Sequence, residues 1–242
     1  MTDPVFSKRC SSYSWIGPSR HRATGAELSA IPKIDVVLIS HNHYDHMDIE
    51  SLKEIERRDH PIFIVPIGNK IYLTEIGAAN IVELDWWQAY EVDKSKISLV
   101  PMQHFSSRTF TDRYESLWGG FVLDASGVTV LFAGDTGYNS QFSRIREHFG
   151  SIDVSILPIG AYEPRWFMKK LHMNPEEAVR AHIDLKSSLS IGDHFGTFQL
   201  SYEGIEEPVI ALQKSLDSSG ISHDLFLAPK NGQTIFYTRN NP

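Results

Sequence analysis

The stretch Ser40-His41-Asn42-His43-Tyr44-Asp45-His46 constrains this chain more than any other. It places three imidazoles and a carboxylate within six positions, 41 to 46. It directly follows Ile34-Asp35-Val36-Val37-Leu38-Ile39, a short β-branched run that reads as a buried strand over 34–40. The end of such a strand is where a layered α/β protein presents its ligands. Imidazole and carboxylate suit zinc best, and iron or manganese with less preference. A lone H-x-H is a weak signal. H-x-H-x-D-H after a strand is a strong one, because charged and imidazole groups seldom crowd beside a buried strand without a cation.

Further strands are expected at 62–66, 97–103, 119–124, 128–133, 153–158 and 187–192. Helices are expected at 46–58, 68–77, 140–149, 175–184 and 205–217. Asn174-Pro175-Glu176-Glu177 is a strong helix start, with Asn as N-cap, Pro at the first helical position and acids in the first turn. Phe121-Val122-Leu123-Asp124 and Val128-Thr129-Val130-Leu131-Phe132 flank Ser126-Gly127 and predict a hairpin. The first 30 residues are rich in Ser, Arg and Gly and read as irregular. Alternating strands and helices with an antiparallel pair among them predict an α/β layered fold with mixed sheets. No linker interrupts the 242 residues, so 1–242 is expected to form a single domain.

Composition narrows the function classes. A formal net charge of -7 gives no reason to expect a nucleic-acid partner. One cysteine, Cys10, excludes a disulfide framework and is compatible with a reducing, cytoplasmic setting. No secretory leader is expected in the polar first residues, and no apolar run approaches the ~20 residues of a spanning helix. Peripheral contact with a membrane surface stays open.

A two-metal site needs about seven or eight ligand positions. Three more candidates sit at the ends of predicted strands: His104 after 97–103, Asp135 after 128–133, and His194 after 187–192. Taken singly, each is more commonly a turn Asp or a satisfied core His. Together with the 41–46 turn they are difficult to assign to chance.

The order H-x-H-x-D-H, His104, Gly134-Asp135-Thr136-Gly137, His194 resembles the metallo-β-lactamase superfamily. The resemblance implies a four-layer αβ/βα sandwich with mixed sheets. It implies that His41, His43 and His104 hold one metal, that Asp45, His46 and His194 hold a second, and that Asp135 bridges them. The implied cofactor is two Zn2+, with Fe or Mn as alternatives. Members of this fold begin with two or more strands before the segment equivalent to Thr2-Asp3-Pro4. The expectation is therefore a fold that lacks those first strands and has an open sheet edge. Such an edge invites pairing with another chain, so a homodimer is among the expectations.

Longer strings narrow the resemblance. Gln103-His104-Phe105-Ser106-Ser107-Arg108-Thr109, Ser116-Leu117-Trp118-Gly119-Gly120-Phe121 and Pro158-Ile159-Gly160-Ala161-Tyr162-Glu163-Pro164-Arg165-Trp166-Phe167-Met168 look like those of N-acyl-phosphatidylethanolamine-hydrolysing phospholipases D and their bacterial relatives. This implies a phosphodiesterase of phospholipase D type acting on a phospholipid, giving N-acylethanolamine and phosphatidic acid. Alternatives are another phosphodiester, a sugar-phosphate lactone, or an inactive truncated homologue. Asp45 and Asp135 can each orient a hydroxide, and His172 is the candidate for substrate contact or leaving-group protonation. In the Tyr162–Met168 string, Arg165 is expected at the phosphate, and Trp166, Phe167 and Met168 at acyl chains, with Tyr162 beside them. The alternative is that the rings are core and Arg165 pairs with Glu163. Trp86-Trp87 and the Tyr13-Ser14-Trp15-Ile16 loop are weaker candidates for a membrane-facing surface.

Overall fold

Alternate residues of the apolar strands face different cores, which is why the runs are apolar almost throughout. Val37 and Phe63 point one way into a cluster with Leu52, Ile55 and Leu73. Their neighbours Leu38 and Ile64 point the other way, against Leu99, Phe121 and Phe132. A third cluster joins Val122 and Leu131 to Phe142, Ile145, Val179, Leu212 and Leu216. Three cores separate four layers. A computed structural model describes residues 1–239 of the chain.

The smaller sheet has order β1-β2-β3, from Val36–Leu38, Ile62–Pro66 and Ile81–Leu84. Its pairs are parallel and joined by helices α1 (Ile49–Asp59) and α2 (Lys70–Glu75). These helices cover its outer face, with Leu52, Ile55 and Leu73 fully buried. The larger sheet has seven strands in the order β10-β9-β8-β7-β6-β5-β4. In chain order these are β4 (Ala89–Val92), β5 (Ser95–Val100), β6 (Gly120–Ala125), β7 (Val128–Phe132), β8 (Val154–Pro158), β9 (Leu189–Asp193) and β10 (Phe226–Leu227). Strands β4 to β7 form an antiparallel meander, and β7 to β10 are parallel. Helices α3 (Gln141–Phe149), α5 (Pro175–Leu185) and α6 (Glu207–Ser219) pack on its outer face, and the short α4 is Arg165–Met168.

The hairpin expected at Ser126-Gly127 forms, with φ of 53° and 79° at its two central residues, as a type I′ turn requires. Asn174 caps α5 in a capping box with Glu177. Three differences have clear causes. Helix α1 begins at Ile49, later than the expected 46, because residues 43–47 form a turn in which His46 N and Met47 N both donate to His43 O. Strands β3 and β4 and helix α4 fall outside the expected elements, since their short sequences are half-exposed and carry little periodicity. The β1 edge is not bare over its length: the Met1 nitrogen donates to Val36 O, Leu38 N to Met1 O and Asp3 N to Leu38 O.

Strands β5, β7 and β9 run in one direction, so their C-terminal ends share one edge of the larger sheet. The end of β1 meets that edge through Gly119 N, which donates to Ser40 O at 3.0 Å. The approach is close. A Cβ on Gly134 (φ +59°) would lie 2.6 Å from the Ser40 Cβ, and one on Gly160 would lie 2.1 Å from His194 O. Glycine at these two positions lets the loops after β1, β7, β8 and β9 converge.

Candidate metal centre

All seven residues expected around a metal pair converge at that edge. His41, His43, His104 and Asp135 form one group, and Asp45, His46, Asp135 and His194 form another. In each group the candidate ligand atoms lie within 4.8 Å of one another. Asp135 belongs to both, and its carboxylate is nearly inaccessible. Its Oδ2 lies 3.2 Å from His46 Nε2, 3.7 Å from His104 Nε2 and 3.8 Å from His41 Nε2, and its Oδ1 lies 3.3 Å from His194 Nε2. Asp45 Oδ2 lies 3.2 Å from His194 Nε2 and 3.5 Å from His46 Nε2.

Hydrogen bonds around the rim fix which ring nitrogen faces inward. Ser40 donates through its hydroxyl to Asp3 Oδ2 (2.5 Å), so the 2.9 Å contact of His41 Nδ1 with Ser40 Oγ has the ring as donor. His46 Nδ1 donates to Asp3 Oδ2 at 2.6 Å, and His104 Nδ1 to Leu171 O at 3.0 Å. In the neutral rings this leaves a lone pair on the inward Nε2 of all three.

Those inward nitrogens crowd one another and the carboxylates. His41 Nε2 and His43 Nδ1 are 2.8 Å apart, and His46 Nε2 and Asp135 Oδ1 are buried without a hydrogen-bond partner. Buried acceptors directed at one another are unfavourable unless a cation sits among them. The donor set, three imidazoles on one side and two imidazoles with a carboxylate on the other around a shared carboxylate, fits a pair of divalent transition metals.

The protonation states divide the rings between the two groups. Burial, reinforced by the neighbouring imidazoles, pushes His41 and His104 well below the ordinary histidine value. For Asp135, burial works against ionisation, yet His194, His46 and His172 hold it well below the usual carboxylate range. His194 and His46 are opposed by burial but raised by Asp135 and Asp45, His194 to about 9 and His46 well above its ordinary value.

Two supporting residues were not legible as functional in the sequence. Asp3 takes Ser40 N (2.7 Å), the Ser40 hydroxyl and His46 Nδ1, and so orients the second group from a position remote in the chain. Arg108 donates from Nη1 to both Asn42 O (2.8 Å) and Met47 O (2.9 Å), and its guanidinium stacks 4.2 Å over the Tyr44 ring. It clamps the two ends of the 42–47 turn. The only cue for either residue was its place in a string resembling the family.

His172 is buried beside the centre, with Nδ1 3.8 Å from Asp135 Oδ2, unpartnered, and a pKa pushed down to about 4 by burial. Arg165 has partners within the protein. Its guanidinium is engaged by Glu177 (2.6 Å), His172 O (3.0 Å) and Tyr162 O (3.2 Å), so it ties α4 to α5 and fixes the His172 backbone. The alternative pairing with Glu163 reaches only the Arg165 backbone NH. Tyr162 is buried, Met168 half-buried, and Trp166 and Phe167 exposed, not core. Of the other candidates for a membrane-facing surface, Trp86 and Trp87 pack against the cores, whereas Tyr13, Trp15 and Ile16 are exposed. A cavity of about 340 Å³ abuts Asp45, His46 and His194, walled by Phe132, Ile156, Phe198 and Leu200. It touches only one of the two groups, so it does not by itself mark the reacting centre.

Residues 1–195 match the family model described as a beta-lactamase superfamily domain. The chain belongs to the metallo-β-lactamase superfamily. It is 39% identical over 241 residues to the mitochondrial N-acyl-phosphatidylethanolamine-hydrolyzing phospholipase D of Saccharomyces cerevisiae, covering 97% of this chain and 51% of that protein. It is 36% identical to N-acyl-phosphatidylethanolamine-hydrolyzing phospholipase D 1 of Caenorhabditis elegans, covering 90% and 65%. The chain thus spans between half and two thirds of the length of these relatives. Among solved structures, a metallo hydrolase of Ignicoccus hospitalis matches with TM-score 0.66 at 23% identity, covering 88% of this chain and 83% of that one. A diiron β-hydroxylase of Streptomyces venezuelae matches with TM-score 0.67 at 19% identity, covering 95% and 49%. These two likenesses show the superfamily's fold.

Two outcomes follow from the geometry. Asp3→Asn leaves every inward atom in place but removes the charge orienting His46, so zinc affinity should fall roughly 10–100-fold. Chelator competition measures this, and unchanged affinity would show that Asp3 orients nothing. Metal must also displace the protons held by His46 and His194. Apparent zinc affinity should therefore rise with pH from neutrality through about 9, where His194 is half deprotonated. A flat titration series between pH 7 and 8.5 would contradict this.

Proposed function

We propose that this metallo-β-lactamase domain is a two-zinc phosphodiesterase that hydrolyses N-acyl-phosphatidylethanolamine to N-acylethanolamine and phosphatidic acid. The observation that carries the reading is the place of Asp135 in both ligand groups. The two relatives named for this activity, aligned over nearly all of the chain, supply the substrate. When bound, two such cations polarise a phosphoryl oxygen and acidify a water. His41, His43 and His104 would hold one and Asp45, His46 and His194 the other, with Asp135 between them.

The chain's own residues do the rest. Asp45 and Asp135, ionised in spite of burial, accept hydrogen bonds and orient the attacking water. Burial pushes the His172 pKa down to about 4, so the neutral ring contacts the substrate through a hydrogen bond. Arg165 and Glu177 hold it there through the His172 carbonyl and the α5 cap. The water oxygen forms a new P–O bond and gives up a proton. The P–O bond to the ethanolamine breaks, and the N-acylethanolamine oxygen takes up one proton in exchange, so that the overall transfer is from the attacking water to the leaving alcohol. No helix among the described residues is long and apolar enough to cross a membrane, so the lipid would be met at a surface.

Mass spectrometry after incubating zinc-loaded protein with the lipid in H2¹⁸O tests this. N-acylethanolamine should appear with one ¹⁸O in the phosphatidic acid. Label in a released fatty acid, or no N-acylethanolamine, would sink the reading.

A further inference from the structure

Helix α4 and the turn after it expose an unusual set of side chains. Trp166 is 86% exposed and Phe167 58%, with their rings 5.8 Å apart. Lys169 and Lys170 follow and are exposed. Lys169 N donates to Arg165 O, so the backbone is still helical there, and Trp166, Lys169 and Lys170 share a face at i, i+3 and i+4. Tyr202, 86% exposed, sits alongside, since its NH donates to Glu163 O. Large aromatics left in water beside two cations stand out on a chain with a net charge of -7.

The position of this patch is as informative as its composition. Gln103 Nε2 donates to Lys170 O and His104 Nδ1 to Leu171 O, which pins the end of the segment to the metal centre. His172 then turns into the core beside Asp135. One short stretch of backbone therefore has Trp166 and Phe167 at the surface and His172 at the reacting centre.

We propose that the Trp166–Phe167–Lys169–Lys170 face is a docking surface for an anionic phospholipid bilayer. Indole and phenyl rings partition into the headgroup region, and the adjacent ammonium groups meet lipid phosphates and carboxylates. Charge complementarity selects this occupant: the lysines would repel a second copy's like-charged patch, and a lipid surface satisfies rings and cations together. The proposal deepens the lipid-substrate reading and rests on it. Docked this way, the bilayer lies at the rim of the metal centre and a substrate headgroup has a short path to His172.

Co-sedimentation with vesicles that contain no N-acyl-phosphatidylethanolamine tests docking apart from catalysis. Zinc-loaded full-length chain should bind vesicles of phosphatidylcholine with phosphatidylserine, and bind vesicles of phosphatidylcholine alone more weakly. Trp166→Ser/Phe167→Ser should weaken binding roughly tenfold or more, and Lys169→Gln/Lys170→Gln should remove the preference for phosphatidylserine. Unchanged melting temperatures would show that both variants fold. Wild-type chain that ignores both vesicles, or variants that bind as wild type does, would overturn the proposal. So would self-association in sedimentation velocity that the Trp166→Ser/Phe167→Ser variant abolishes, because it assigns the patch to a second copy. Vesicle binding that depends on the patch, in protein that fails to hydrolyse the lipid, would support docking while counting against the substrate reading.

Discussion

The structure depends on one buried carboxylate. Asp135 lies in the interior within 4 Å of ring nitrogens from His41, His46, His104, His172 and His194. An ionised carboxylate so placed costs several kcal/mol unless it is compensated. The fold supplies compensation by bringing four strand ends to one point, with Gly134 and Gly160 clearing the space. The hydrogen bonds of Ser40, Asp3 and Leu171 set which ring nitrogen of His41, His46 and His104 faces Asp135, and His194 and His46, whose pKa values it raises in turn, hold it ionised. Such a centre is stable with protons or with metal among its acceptors, and the acceptor geometry around Asp135 favours metal.

Much of this was legible because ligand chemistry at the end of an apolar strand is a local pattern. Val36–Leu38 followed by His41 to His46, and Val128–Phe132 followed by Asp135, can be read without knowing the fold. A layered α/β fold was legible for a related reason, while the count of four layers came from the family resemblance. Strands buried on both faces are apolar throughout, and helices such as α5 carry their own caps. Contacts between distant residues were not legible. Asp3 bonds Ser40 and His46 across the sequence, and Arg165 finds Glu177 in the next helix, where a local reading offered Glu163. The 43–47 turn delayed α1 because its backbone serves the metal ligands first. Strand β3 shows no alternation, and β4, which alternates exposed with half-buried residues, is only 4 residues long and so hard to distinguish from loop.

Arg165 shows how the site and its surroundings are coupled. A cation beside two aromatics suggests phosphate recognition, but three of its five donors go to Glu177 and to the Tyr162 and His172 carbonyls. That leaves Trp166 and Phe167 without a partner inside the protein, and Arg165 anchors the base of the helix that displays them. The same segment thus has a rigid polar inner side facing the metal centre and an apolar, cationic outer side facing solvent.

The central claim is that Asp135 joins two metal positions into one unit, and metal stoichiometry tests it most directly. Elemental analysis of wild-type chain loaded with zinc and desalted should give two metals per chain. Asp135→Asn, with its fold verified by circular dichroism, should lose both together. A folded Asp135→Asn protein that retains two tightly held metals, or wild-type chain that holds only one, would contradict the account.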